Sequence, residues 1–150
     1  MTQQFCTFYL NRIYFGIPIQ QVQEIVRHQT PTRVPLAESD VCGLINLRGQ
    51  IITVINLKRR LDMLIELSEP SFESAQYNSA QYNVVIRAGE NVVSLQIDQL
   101  DDILELSDDD FEPPPATLQG TLRSFLQGVY KLANGFLLVL DPAKLLEVKP

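Results

Sequence analysis

The sequence predicts a mainly β chain built as two related lobes, each a small barrel, with short helices and mutual burial between them. Three observations carry this. The segment Tyr14 to Val26, moved forward 78 positions without a gap, falls on Val92 to Leu104. There Ile17 meets Leu95, Ile19 meets Ile97, Val22 meets Leu100, Glu24 meets Asp102 and Ile25 meets Ile103. Gly43 to Leu61 likewise matches Gly128 to Leu146, read with one residue inserted before the second glycine. Many short β-prone runs separated by turn residues at regular spacing indicate small barrels. Finally, half of a 150-residue chain is near the size at which a lone core is marginal, so the lobes are expected to share one. The lobe limits are placed at about 14–80, with terminal segments open to exchange, and about 81–146.

Each element has a local reason. Phe5 to Leu10 and Ile13 to Ile17 form a hairpin across Asn11-Arg12, where asparagine tolerates positive φ. Pro18 opens a short turn through Ile19-Gln20-Gln21-Val22, followed by a strand from Glu24 to His28. Pro31 and Pro35 restrict the next stretch to extended or turn geometry, and Leu36 to Val41 is expected to be a helical turn. Gly43 to Leu57 reads as two strands joined at Arg48-Gly49-Gln50, with Asn56 capping a helical turn over Leu57 to Leu61. Leu64 to Ala80 is polar and reads as a mobile loop between halves. Strands then recur at Asn83 to Ala88 and Val92 to Ile97 around the turn Gly89-Glu90-Asn91, and at Ile103 to Leu106. Ser107 caps a brief turn in Asp108-Asp109-Asp110, and Pro113-Pro114-Pro115 forms an extended strap. A last hairpin, Phe125 to Lys131 with Phe136 to Leu140, leads into a helix that starts on Pro142.

Composition narrows function. A net charge of −6 argues against nucleic acid and anionic membrane surfaces, which need clustered Lys and Arg. Met1-Thr2-Gln3-Gln4 runs straight into a strand with no basic stretch or apolar h-region, so a cytoplasmic protein is expected. No apolar run reaches the roughly 20 residues of a spanning helix. Cys6 and Cys42 are expected to be buried free thiols with no metal or redox pairing, and no cofactor is expected. The one histidine, His28, reads as a half-exposed edge-strand residue, and the Asp108 run as a solvated surface without the alternating pattern of a calcium loop. A small hydrolase or transferase using His28, Cys42 or the acidic cluster is the competing enzyme reading, and a stand-alone β-barrel module for peptides or small ligands a third. Arg48, set among apolar strands, needs a carboxylate, and Glu24 is the expected partner at the rim of a groove between the lobes.

The run from Gly43 to Leu57, GLINLRGQIITVINL, resembles the signature of the CheW family of chemotaxis adaptors. Phe15-Gly16-Ile17, Val22 to Ile25, Val92 to Leu106 and Phe111 to Pro115 match in order. The resemblance implies two SH3-like five-stranded barrels around a shared core, and a scaffold with no catalytic activity. It also implies coupling of chemoreceptor helical-hairpin tips to the regulatory domain of a CheA-type histidine kinase, with recruitment to the inner face of the membrane through receptors. An isolated monomer that assembles into arrays is expected. By the same resemblance Val22, Glu24, Ile25, Gly43, Arg48 and Leu100 are the partner-binding residues. Thr53 and Asn56 depart from the family's proline and aspartate, and the loop from Leu64 looks longer than usual. These departures leave room for a divergent pathway governing pili or surface behaviour.

Overall fold

A computed structural model of the chain describes residues 1–63, 82–118 and 120–146. The first hairpin forms as its sequence demands. β1 (Thr2–Leu10) and β2 (Ile13–Pro18) meet across Asn11 and Arg12, whose φ values of 48° and 67° are those of a two-residue primed turn. A 3-10 turn, Ile19–Gln21, leads into β3 (Val22–Arg27). β4 (Val41–Leu47) and β5 (Gln50–Asn56) turn at Arg48 and Gly49, both at positive φ, and the Asn46 side chain accepts from Gly49 N at 2.8 Å. Asn56 caps α1 (Leu57–Arg60). The second half supplies β6 (Tyr82–Ala88), β7 (Asn91–Gln96), β8 (Gln99–Ser107), the two-residue β9 (Phe111–Glu112), α2 (Thr121–Ser124), β10 (Leu126–Leu132), β11 (Gly135–Leu140) and α3 (Pro142–Leu145). Ser107 caps the turn Asp108–Asp110, and Asp141 caps α3 with Pro142 at its start.

Two sheets result, in the orders β8-β1-β2-β11-β10-β9 and β3-β6-β7-β5-β4. Both curl into SH3-like barrels, because the chain ties their edges together. β8 and β9 lie at opposite edges of the first sheet and are joined by three residues only. In the second, the chain leaving edge strand β3 pairs through Thr32 with Leu44 of the opposite edge strand β4. The pairing Thr32 to Leu44 is the counterpart of Glu112 to Val129. The sixth strand of one barrel thus shrinks to a single bridge in the other.

The sheets divide the chain differently from lobe limits at 14–80 and 81–146. The β1-β2 hairpin joins β8 to β11, and the β6-β7 hairpin joins β3 to β5. Each half lends its first hairpin to the barrel of the other. The two parallel contacts mark the exchange: Phe15 with Leu138, and Val93 with Thr53, are equivalent pairs under the repeat. The bulges repeat as well, between Val41 and Gly43 and between Leu126 and Gly128. No residue is inserted before Gly135, contrary to the sequence reading. Leu47 faces Gln50 as Leu132 faces Gly135, so Gly49 matches Asn134 and Arg48 matches Ala133.

Burial follows the exchange. The largest core draws Cys6, Phe8, Phe15 and Ile17 from one sheet and Ile55, Val84, Ile86 and Leu95 from the other, so it is the layer the barrels share. Each barrel also has a smaller core of its own, Phe5, Tyr130, Leu137 and Val139 in one, Ile45, Leu47, Ile52, Val54 and Val85 in the other. Leu36 to Val41 is not helical. Proline at 35 disfavours the helical region for Val34, Leu36 stands at φ 66°, and Val41 already begins β4. The loop expected from Leu64 to Ala80 lies outside the described residues.

Candidate partner-binding site

The expected Arg48 to Glu24 pair is present, but it joins two edges of one barrel, with Glu24 opposite Val85 of that barrel's own core, where the sequence reading set it at the rim of a groove between the lobes. Arg48 sits on the β4-β5 turn and Glu24 on β3, so the pair spans the place where the edges of the five-stranded barrel approach each other. Arg48 is 69% exposed and Glu24 23%, which makes this a surface ion pair. Its contribution to folding is therefore small, about 0–1 kcal/mol.

The other nominated residues fall into three places. Val22 and Leu100 are half-buried against the shared core from the two edge strands β3 and β8, in equivalent positions opposite Ile86 and Phe8. They border the seam that this core fills. Ile25 follows Glu24 but points to the opposite face of the strand, where it is 37% exposed. Gly43 carries no surface. A Cβ there would fall on the Thr32 carbonyl oxygen, and φ is 148°, so its role is to let the bridging strand close the barrel. Gly128 does the same beneath Glu112 O.

Exposed apolar residues missed by the sequence reading complete a pattern. Ile103 is the repeat counterpart of Ile25 and is 55% exposed; Phe136 is the counterpart of Ile51, at 58% and 74%. Each barrel thus presents an aliphatic residue on its edge strand and a large apolar residue where the last long hairpin turns. The 78-position match already set Ile25 on Ile103, and that was the signal available. Their electrostatics differ. Where the five-stranded barrel has Glu24 neutralised by Arg48, the six-stranded one has Asp102 without an ion pair among the described residues and Ala133 in place of the arginine.

Candidate catalytic groups do not converge. The His28 ring nitrogen lies 3.4 Å from Asn83 Oδ1, while Cys42 donates to Gln96 Oε1 at 3.4 Å. Cys42 is half-buried rather than buried, and loss of solvation raises its pKa, as it raises that of buried Cys6 to about 11. Neither thiol is poised as a thiolate. Among the described residues no group of three potential ligands could hold a metal, and no helix is long and apolar enough to cross a membrane.

Comparison with known proteins agrees with this architecture. The "Chemotaxis protein CheW" of Treponema pallidum is 32% identical over 97% of this chain and 83% of its own length, and that of Bacillus subtilis 27% identical over 97% and 87%. The crystal structure of the scaffolding protein TtCheW from Thermoanaerobacter tengcongensis superposes with a TM-score of 0.82 at 24% identity, covering 99% of this chain and 90% of that one. The CheW-like domain profile matches residues 4–149, and the chain belongs to the CheW-like family.

Proposed function

We propose that the chain is a scaffold without catalytic activity that couples the cytoplasmic tips of chemoreceptors to a CheA-type histidine kinase in chemotaxis. The observation that carries this reading is the presence of two equivalent but electrically different barrel surfaces on barrels locked by one core, one carrying exposed Ile25 and Ile51 with the Glu24 to Arg48 pair across the strand from Ile25, the other exposed Ile103 and Phe136 with Asp102 across the strand from Ile103. Similar apolar parts suit similar partners, and the difference in charge separates the partners that each face accepts. Val22 and Leu100, at the border of the seam, suit an apolar receptor helix laid along it. The Glu24 to Arg48 rim suits a barrel of the kinase regulatory domain that resembles this one. Head-to-tail contacts of this kind are heterologous and close into rings when the rotation permits.

Reconstitution with receptor and kinase from the same cell tests the reading, with kinase phosphorylation as the readout. The wild-type chain is expected to make phosphorylation receptor-dependent. Arg48→Glu and Ile25→Glu, both at exposed positions, should weaken the ternary complex while leaving the melting curve in place. Coupling of undiminished strength by both variants would remove these residues from the docking face, and kinase activity indifferent to the chain would remove the function.

A further inference from the structure

A cavity of about 660 Å³ opens far from the Arg48 rim, at the other end of the β4-β5 hairpin. Its walls are Arg33, Val34, Leu36, Val41, Cys42 and Arg59, and among the described residues its one carboxylate is Glu38. Three features distinguish it. Arg33 and Arg59 make no ion pair among the described residues, although neighbouring Lys58 and Arg60 hold Asp98 and Asp40. Two guanidiniums thus meet in one concavity of a chain whose net charge is −6. Leu36 is fully exposed and held at φ 66°, a strained backbone for a leucine with nothing to pack on. The internal repeat supplies the third feature. In the six-stranded barrel the matching connection, 113–125, is longer, contains α2, and packs Leu118, Leu122 and Phe125 on the shared core. In the five-stranded barrel the connection 33–40 is shorter, has no helix, and leaves Val34 and Leu36 exposed.

We propose that this cavity binds an acidic linear peptide of a partner protein, with carboxylates on Arg33 and Arg59 and one branched or aromatic side chain against Val34, Leu36 and Val41. The chemistry is bidentate carboxylate recognition by arginine beside a small apolar seat. The occupant supplies from outside the kind of apolar cover that the longer 113–125 connection supplies from within the chain, where Leu118, Leu122 and Phe125 pack on the shared core.

The test uses the full chain and two fluorescein-labelled nonapeptides, one alternating glutamate with leucine and one alternating glutamine with leucine. Anisotropy should show the glutamate peptide binding and the glutamine peptide at least about tenfold weaker, the scale of one lost charge-assisted interaction. Arg33→Glu with Arg59→Glu should weaken the glutamate peptide by a similar factor. Arg27→Glu with Lys144→Glu, the same change in net charge with Lys144 at the repeat counterpart of Arg59, should leave binding unchanged. The bound glutamate peptide should also slow alkylation of Cys42. Equal binding of both peptides, equal loss in the two double variants, an unprotected Cys42, or no binding would each overturn the proposal.

Discussion

Single residues show how differently two glycines or two thiols are constrained. Gly43 closes a barrel, and Gly43→Ala should cost more than about 2 kcal/mol, since a backbone carbonyl occupies the space and φ is 148°. Gly89→Ala, at φ 61° in open space, should cost only about 1 kcal/mol. Urea melts of the two variants check the contrast. Cys6 and Tyr14, with Cys42 and Tyr130 shifted in the same direction, make stability sensitive to alkaline pH. Burial raises Cys6 from 9.0 to about 11, and burial, aided by Asp101 at 2.7 Å, raises Tyr14 from 10.0 to about 12. Both groups favour the protonated form in the folded state. Their stabilisation is therefore complete below the ordinary values and is lost as the pH climbs through the folded ones. Stability should fall between pH 9.0 and about 12, and Tyr14→Phe should flatten the upper part of that fall. The Arg48 to Glu24 pair was expected on the ground that an arginine among apolar strands demands a carboxylate; the pair is there, but Arg48 is exposed on the β4-β5 turn, so it forms because that turn and edge strand β3 are neighbours and not because burial requires it. The half-exposure of Cys42 was not, because it depends on the end of the barrel at which β4 starts.

At the level of elements, turns and caps were read well because their causes lie within a few residues. Asn11-Arg12, Asn56 and Ser107 act as their chemistry requires, and Asp141, for which the sequence reading named only the Pro142 that follows, caps the last helix. Asn56 and Asp141 stand at equivalent positions and cap α1 and α3, the one through an amide Oδ1 that accepts from Arg59 N, the other through a carboxylate Oδ1 that accepts from Ala143 N. Replacing either by alanine should cost about 1 kcal/mol, and Asn56→Asp should hold stability within about 0.5 kcal/mol, as thermal melts can verify. The misread segment, Leu36 to Val41, ends in a long-range arrangement that no local pattern announces. Asp40, nearly buried, pairs with Arg60, and Arg60 in turn donates to Leu145 O at 2.6 Å. That network ties the 33–40 connection to α1 and, across the shared core, to α3. Asp40→Ala should destabilise by about 3 kcal/mol, because it strands a buried guanidinium.

For the molecule as a whole, the sequence revealed the duplication and the mixture of short strands, and the family resemblance supplied the barrel type. It did not reveal which hairpin belongs to which barrel, since strand pairing between halves leaves no trace in local periodicity. The structure makes the halves interdependent. Residues 1–63 lack the β6-β7 hairpin, and residues 82–150 lack β1 and β2, so each fragment has an open sheet and half of the shared core. Expressed apart, the fragments should each be unfolded by circular dichroism, and mixing them should restore one cooperative melt from a 1:1 complex. Independent folding of either would contradict the exchange. The same exchange bears on ancestry. A half-length chain with this strand order would find in an identical neighbour everything it lacks, as a twofold dimer that dilution could dissociate. Tethering the copies substitutes an intramolecular encounter for a bimolecular one. It also frees corresponding positions to specialise, as Phe5 and Asn83, or Ala133 and Arg48, have done.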